Sequence, residues 1–137
     1  MVTIKIECRT IARGVAEGEV LLSEDALSFL GNVDPKTGVV VDPGHAIYGE
    51  CIKDRILVFP HGKGSTVGSY VIYQLKKNNV SPAAMINIDS EPIVAVGAII
   101  SDIPLVDRLD KDPFTIFKNG DRVKVDSTGG FVELIDS

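Results

Sequence analysis

Ile56-Leu-Val-Phe59 is a continuous run of large aliphatic and aromatic side chains, ended by Pro60. Nothing in it alternates, so a strand built from it must be covered on both faces. Ten residues follow, Pro60-His-Gly-Lys-Gly-Ser-Thr-Val-Gly-Ser69, and then an amphipathic pattern begins. Val67, Val71 and Leu75 fall at helical spacing with Tyr70 and Gln74 alongside, and Lys76-Lys-Asn-Asn79 supplies cations and turn formers at the carbonyl end. Gly62, Gly64 and Gly68 let the backbone pass tightly where side chains would obstruct a ligand. Ser65 and Thr66 stand where an N-cap belongs, with the free N–H groups of the first helical turn directed into the loop. Such a helix start attracts anions, so the loop suits a phosphate, a carboxylate or a developing oxyanion. The same residues also fit a tight strand-to-helix turn with a serine cap, and local sequence leaves both readings open.

Two familiar phosphate loops do not fit. A P-loop needs Ser or Thr directly after its lysine, and glycine where Leu57 stands; here Lys63 is followed by Gly64. The dinucleotide pattern G-x-G-x-x-G fails by one residue, because Val67 occupies the third glycine position and Gly68 comes after it. Asp89, at the end of the next strand-like run, imitates the ribose-binding acid of that pattern, which is weak support for a nucleotide.

The 137 residues make one domain, 1–137, able to bury roughly two thirds of its unfolded surface. With 45% hydrophobic and 24% charged residues the chain is globular rather than disordered. No apolar run reaches membrane-spanning length and no signal-peptide core is present at the N-terminus, so a cytoplasmic location is expected. A net charge of −5 with scattered Lys and Arg argues against nucleic acid as a partner. Cys8 and Cys51 lie far apart in strand-like contexts and are expected to be small buried hydrophobes. Two thiols cannot hold an iron–sulfur cluster or a structural zinc, so no metal ligand is expected here and metal chemistry must come from a partner.

Along the chain, Val2–Cys8 alternates as a half-buried strand, and Arg9–Arg13 leads into a second strand, Gly14–Leu22, weakened at its glycines. Ser23–Leu30 fits a strand or a short helical turn equally well. Gly31–Gly38 is a turn-rich loop, Val39–Val41 a brief strand, and Asp42–His45 another turn. After the central helix, Ser81–Ile88 gives a second buried strand and so a right-handed βαβ unit. Ile93–Ile100 is a helix or a strand, its small residues favouring a closely packed helix. Ile103–Val106 is a short strand, Phe114–Phe117 a turn, and Arg122–Val125 with Phe131–Ile135 a terminal hairpin.

Three separated stretches, in this order, carry a family likeness: Leu27-Ser-Phe-Leu-Gly-Asn-Val-Asp-Pro-Lys-Thr-Gly38, His61-Gly-Lys-Gly-Ser-Thr-Val-Gly-Ser69 and Glu91-Pro-Ile-Val-Ala-Val-Gly-Ala-Ile99. Together, over nearly the whole chain, they resemble the small subunits of archaeal phosphomevalonate dehydratases, in the aconitase X group. The resemblance implies an α/β swivelling domain in three β/β/α layers, with the βαβ unit central and further strands flanking it. It implies a large subunit carrying a 4Fe–4S cluster that this chain does not ligate. The implied reaction is dehydration of (R)-5-phosphomevalonate to trans-anhydromevalonate 5-phosphate, in the mevalonate route to isoprenoids. Ser65 takes the place of the family's serine base, and Gly62, Lys63, Gly64, Thr66 and Ser69 are the candidate substrate contacts. Lys63 departs from the arginine often found there, which keeps the charge but loses the bidentate fork. Other members of the group dehydrate hydroxyprolines, so the fold by itself does not fix the substrate.

A serine at its free pKa is a poor base, but one at a helix start, ringed by N–H groups and near Lys63, has its alkoxide stabilised. Among the remaining candidates, His61 abuts the loop and is placed to touch an anion, whereas His45 reads as a surface or loop-pinning residue. Ser28 and Asn32 belong to a loop that faces the partner if the resemblance holds. Rival readings are a phosphohistidine swivelling module, for which His61 lacks the usual Thr-Ser neighbours, and a non-catalytic anion-binding module.

Overall fold

In the computed structural model, which describes residues 3–136, the Ile56–Phe59 run is a strand buried along its whole length. Val2, expected at the head of the first strand, lies outside the described residues. The strands are β1 (Ile4–Glu7), β2 (Arg9–Ala12), β3 (Val15–Leu22), β4 (Ile56–Phe59), β5 (Ala84–Asn87), β6 (Leu105–Asp107), β7 (Arg122–Asp126) and β8 (Phe131–Asp136). They lie in the order β1-β8-β7-β3-β4-β5-β6-β2. The helices are α1 (Phe29–Asn32), α2 (Gly68–Lys77), α3 (Pro92–Ser101) and α4 (Pro113–Ile116).

β3 turns this single strand order into two layers. Val15–Glu19 pair antiparallel with β7, and Val20–Leu22 run parallel to β4. The strand passes so close to a neighbouring turn that a Cβ on Gly18 would lie 2.7 Å from the Asp54 carbonyl oxygen. Alternation along β4 then sorts the core, since successive side chains point to opposite faces. Leu57 and Phe59 join Leu21, Met85 and Leu105 on the face covered by α2 and α3. Ile56 and Val58 join Val20, Ala84, Ile86 and Val106 against Val123, Val125, Val132 and Leu134 of the antiparallel leaf. Each fully buried side chain of this size contributes roughly 1.5–3 kcal/mol. The result is the expected β/β/α stack, with the parallel strands as its middle layer.

The expected βαβ unit is β4-α2-β5, with Phe59 in register with Asn87. A second unit, β5-α3-β6, follows directly and is also parallel. The apolar octet is therefore a helix. It packs on α2 through Gly97, where a Cβ would stand 2.6 Å from Ile72 Cδ1.

Four local expectations are corrected. Arg9–Ala12 is a strand of its own at the sheet edge, paired with β6 and bulged between Thr10 and Ala12. Ser23–Leu30 is neither regular strand nor helix; Leu27 makes one parallel bridge to Gly62, and α1 is a single turn broken at Leu30 and Gly31. Val39–Val41 forms no strand, only isolated bridges from Val40 to Val33 and from Val39 to Cys51. Cys51 consequently sits on the surface rather than in the core, and only Cys8 is partly buried against the sheet. For Arg9–Ala12 and Leu27 a partner distant in sequence decides the conformation, whereas Val39–Val41 and Cys51 are set by single bridges within their own loop.

Candidate active site at the carboxyl edge of the parallel strands

The glycine loop leaves β4 at the carboxyl edge of the sheet, where open α/β folds place their ligands. Its path is fixed from three sides. The Pro60 carbonyl accepts from the Ile88 and Asp89 amides at 3.0 and 3.3 Å. Leu27 N donates to the His61 carbonyl (3.2 Å) and Lys63 N donates to the Leu27 carbonyl (3.0 Å). Gly64 has φ +89°, and a Cβ there would strike the Ser28 hydroxyl. A Cβ on Gly62 would strike the Glu91 carboxylate and Val94. The glycines are thus needed where expected, but what a side chain would meet is the protein itself.

Ser65 is exposed, and its Oγ accepts from Val67 N at 3.1 Å. The residue preceding α2 is Val67, already helical in conformation and without a capping side chain. A tight turn comes first: Gly68 N donates to the Ser65 carbonyl and Ser69 N to the Thr66 carbonyl, at 2.9 and 3.2 Å. This shifts which amides are left as free donors. The first-turn amides expected to be free are used within the chain, while those of Gly64, Ser65 and Thr66 have no acceptor among the described residues. No acidic residue stands in the first turn of α2, and exposed Lys63 beside it favours an anion there, against the opposing charge of the Glu91 carboxylate behind Gly62.

The other expected residues divide. Thr66 is exposed and lines a cavity of ≈ 340 Å³ with Ser69, Tyr70, Ile93 and Val96. Ser69 is buried and its hydroxyl donates to the Ile93 carbonyl at 2.7 Å, tying the start of α2 to the start of α3. His61 is exposed, with Nδ1 2.7 Å from the Gly62 carbonyl oxygen. His45 pins a loop, as expected, but from a buried position: Ile47 N donates to Nδ1, so Nε2–H donates to the Ala26 carbonyl at 2.9 Å. Asn32 braces its own loop, accepting from Ser28 N and donating to Asp42. The Ser28 hydroxyl donates to the Leu30 carbonyl.

Several polar residues around the loop were not singled out from sequence. Glu91 caps α3, its two carboxylate oxygens each accepting a backbone N–H at 2.8 Å, from Ile93 and Val94. Acid, proline and an apolar run was the legible signal. Asn87 is fully buried, a polar residue ending an otherwise apolar strand. Asp107, equally buried, receives two hydrogen bonds from Arg9 at 2.8 and 2.7 Å and one from Ser90 N at 2.7 Å. Burial pushes the Asp107 carboxyl up, but Arg9 and the Ser90 amide outweigh it and hold the carboxyl below its usual range.

Cys8 is pushed up to about 11, chiefly by burial and then by Asp107, Asp110 and Asp126, so its thiol stays protonated at neutral pH. Among the described residues no group of three or more His, Cys, Asp or Glu is placed to hold a metal ion. Nor, among them, is any helix long and apolar enough to cross a membrane.

Comparison with known proteins agrees with this architecture. Residues 5–134 match the family model described as the aconitase X swivel domain. A phosphomevalonate dehydratase small subunit from Methanococcoides burtonii is 97% identical over 136 residues, 99% of each chain. The protein of that name from Methanosarcina mazei is 63% identical, over 98% of this chain and 94% of its own length. A crystal structure of Thermococcus kodakaraensis aconitase X in its holo-form superposes with a TM-score of 0.91 at 55% identity, covering 97% of this chain and 99% of that one.

Proposed function

The chain belongs to the aconitase X swivel-domain family, and we propose that it works as the small subunit of a phosphomevalonate dehydratase. It is one half of a hydro-lyase and acts with a large subunit. The observation that carries this reading is identity of 97% and 63%, over almost the full length, to proteins bearing that name. Dehydration of a hydroxyproline or another hydroxy acid, phosphoryl carriage and a non-catalytic module are not favoured, because nothing in those relatives points to them.

In the reaction a proton leaves the carbon beside the substrate carboxylate and the hydroxyl leaves the adjacent carbon. We assign the proton to Ser65 Oγ. Support comes from its exposure on a loop whose neighbouring amides, of Gly64, Ser65 and Thr66, have no acceptor among the described residues. Those N–H groups, with Lys63 beside them, stabilise a serine alkoxide or the anionic end of the substrate. Thr66 contributes to the wall of the adjoining cavity. Gly62 and Gly64 keep the backbone close-packed behind the loop, and Ser69 anchors it to α3. Among the described residues none are grouped to ligate a cluster, and a 4Fe–4S centre held by the large subunit would supply the Lewis acid for the departing hydroxyl. Closure of the two subunits would exclude water and strengthen each electrostatic contact. A cytoplasmic setting accords with such a partner and with a phosphorylated substrate.

The test is reconstitution. This chain, co-produced anaerobically with the large subunit of the same organism, should convert 5-phosphomevalonate to the unsaturated acid, whereas either chain alone should not. Turnover by this chain alone would refute the two-subunit reading.

A further inference from the structure

We propose that Glu91 and Asn87, in and beside the β5–α3 connection, are positioning residues that hold the glycine loop, and through it Ser65, against the carboxyl edge of the sheet. The proposal rests on the reading of Ser65 as the base.

The two connections leave the sheet at the same level, because Phe59 and Asn87 are paired at the ends of adjacent parallel strands. Asn87 Nδ2 donates to the Phe59 carbonyl at 3.1 Å, the last strand residue before the loop. Its Oδ1 accepts from the Ser90 hydroxyl at 3.1 Å. Ser90 N is in turn held by Asp107, and Asp107 by Arg9. The β5–α3 connection is therefore clamped to β6 and β2, and the glycine loop is clamped to that connection. The Ile88 and Asp89 amides add two more bonds, both to the Pro60 carbonyl.

Glu91 completes the support. An N-cap alone does not explain a glutamate, because the shorter Asp, Asn and Ser fill that role best. What the longer side chain adds is reach. Its Oε1 lies against the Gly62 α-carbon so closely that no Cβ fits between them. Both carboxylate oxygens are fixed by the Ile93 and Val94 amides, so the surface presented to Gly62 is rigid. Gly62 is three residues from Ser65, and a misplacement of about 1 Å in a reacting group can cost on the order of a hundredfold in rate. Asn87 is likewise hard to explain as packing. A fully buried amide next to Ala84, Met85 and Ile86 gains nothing over an apolar side chain unless its two hydrogen bonds are needed.

Glu91→Asp separates the two roles, since aspartate keeps the cap and withdraws from Gly62. In the reconstituted complex the expected result is an unchanged melting temperature, subunit association and iron content. KM should stay within about twofold, while kcat falls about tenfold or more. Exchange of the amides that tie the loop down, Lys63 N to Leu27, Leu27 N to His61 and Ile88 N to Pro60, should be faster. Asn87→Ser, which breaks the link to Phe59 without touching α3, should give the same pattern of faster exchange and lower kcat. Wild-type kcat in Glu91→Asp would overturn the proposal, leaving Glu91 as a cap only. A fall in kcat with unchanged exchange in both variants would also overturn it, because the loop would not be what they hold. Ser65→Ala, measured in parallel, keeps the two ideas apart. Normal turnover there would remove Ser65 as the base, while the exchange data would still decide whether Glu91 and Asn87 hold the loop.

Discussion

Removing the Ser65 hydroxyl should separate turnover from stability. The side chain is exposed and its one hydrogen bond within the chain is the 3.1 Å acceptance from Val67 N. Ser65→Ala therefore costs no more than a weak cap, about 1 kcal/mol, or a fall in Tm on the order of 4 °C. The loop backbone is held by Leu27, Ile88 and Asp89 through bonds that the substitution leaves alone. Loss of a positioned base, by contrast, lowers kcat by a factor of ~100 or more, equivalent to about 2.7 kcal/mol of transition-state stabilisation. Ser69→Ala should show the opposite balance. It leaves the Ile93 carbonyl without its 2.7 Å partner at a buried contact between helices, which costs about 1–3 kcal/mol of stability. Its effect on kcat should be milder than that of Ser65→Ala. The assay is formation of the unsaturated acid, followed by ultraviolet absorbance in the reconstituted complex, with melting curves of the same samples. Near-normal kcat in Ser65→Ala, beside a collapse in Ser69→Ala at intact fold, would show that the base has been assigned to the wrong hydroxyl.

Lys63→Ala should raise KM roughly tenfold to a hundredfold, the value of one charge-assisted contact, with subunit association unchanged in gel filtration. An unaltered KM would place Lys63 in solvent. A thiol reagent should modify exposed Cys51 faster than partly buried Cys8, whose raised pKa leaves less thiolate to react. Replacing both by Ser should leave the iron content of the complex unchanged. For Asp107, the folded pKa lies below the unfolded one, so its ion pair with Arg9 stabilises the fold above about pH 4 and ceases to do so as pH falls through the depressed folded value. Asp107→Asn should accordingly lower stability at neutral pH and flatten the acid limb of the stability curve, as read by denaturant titration at several pH values. An acid limb as steep as in the unaltered chain would assign that limb to other carboxylates.

The elements whose pattern is local were legible in advance. Apolar Ile56–Phe59 can only be a strand covered twice, Val71 and Leu75 can only share one helix face, and Arg122–Ile135 carries its own turn formers. The glycine loop was legible for the same reason, since strand end, glycines and helix start are contiguous. Arg9–Ala12 was not, because a polar edge strand becomes one by pairing with β6, almost a hundred residues on in the chain. The exposed Cys51 follows from the same limit: its surroundings come from single bridges within a long loop.

At the site itself, sequence determined which residues are present and pointed to the β4–α2 connection as a candidate anion site. Only the tertiary structure decided which N–H groups are free. The turn at Ser65 and Thr66 satisfies the first-turn amides of α2 and leaves those of Gly64, Ser65 and Thr66 without an acceptor among the described residues. It also decided that Ser69 faces α3, and that Glu91 and Asn87 stand behind the loop. The physical reason is register. Hydrophobic periodicity is written along the chain, but the level at which one parallel strand ends beside another is set by packing between them, and it is this level that brings residues 59–66 against residues 87–94.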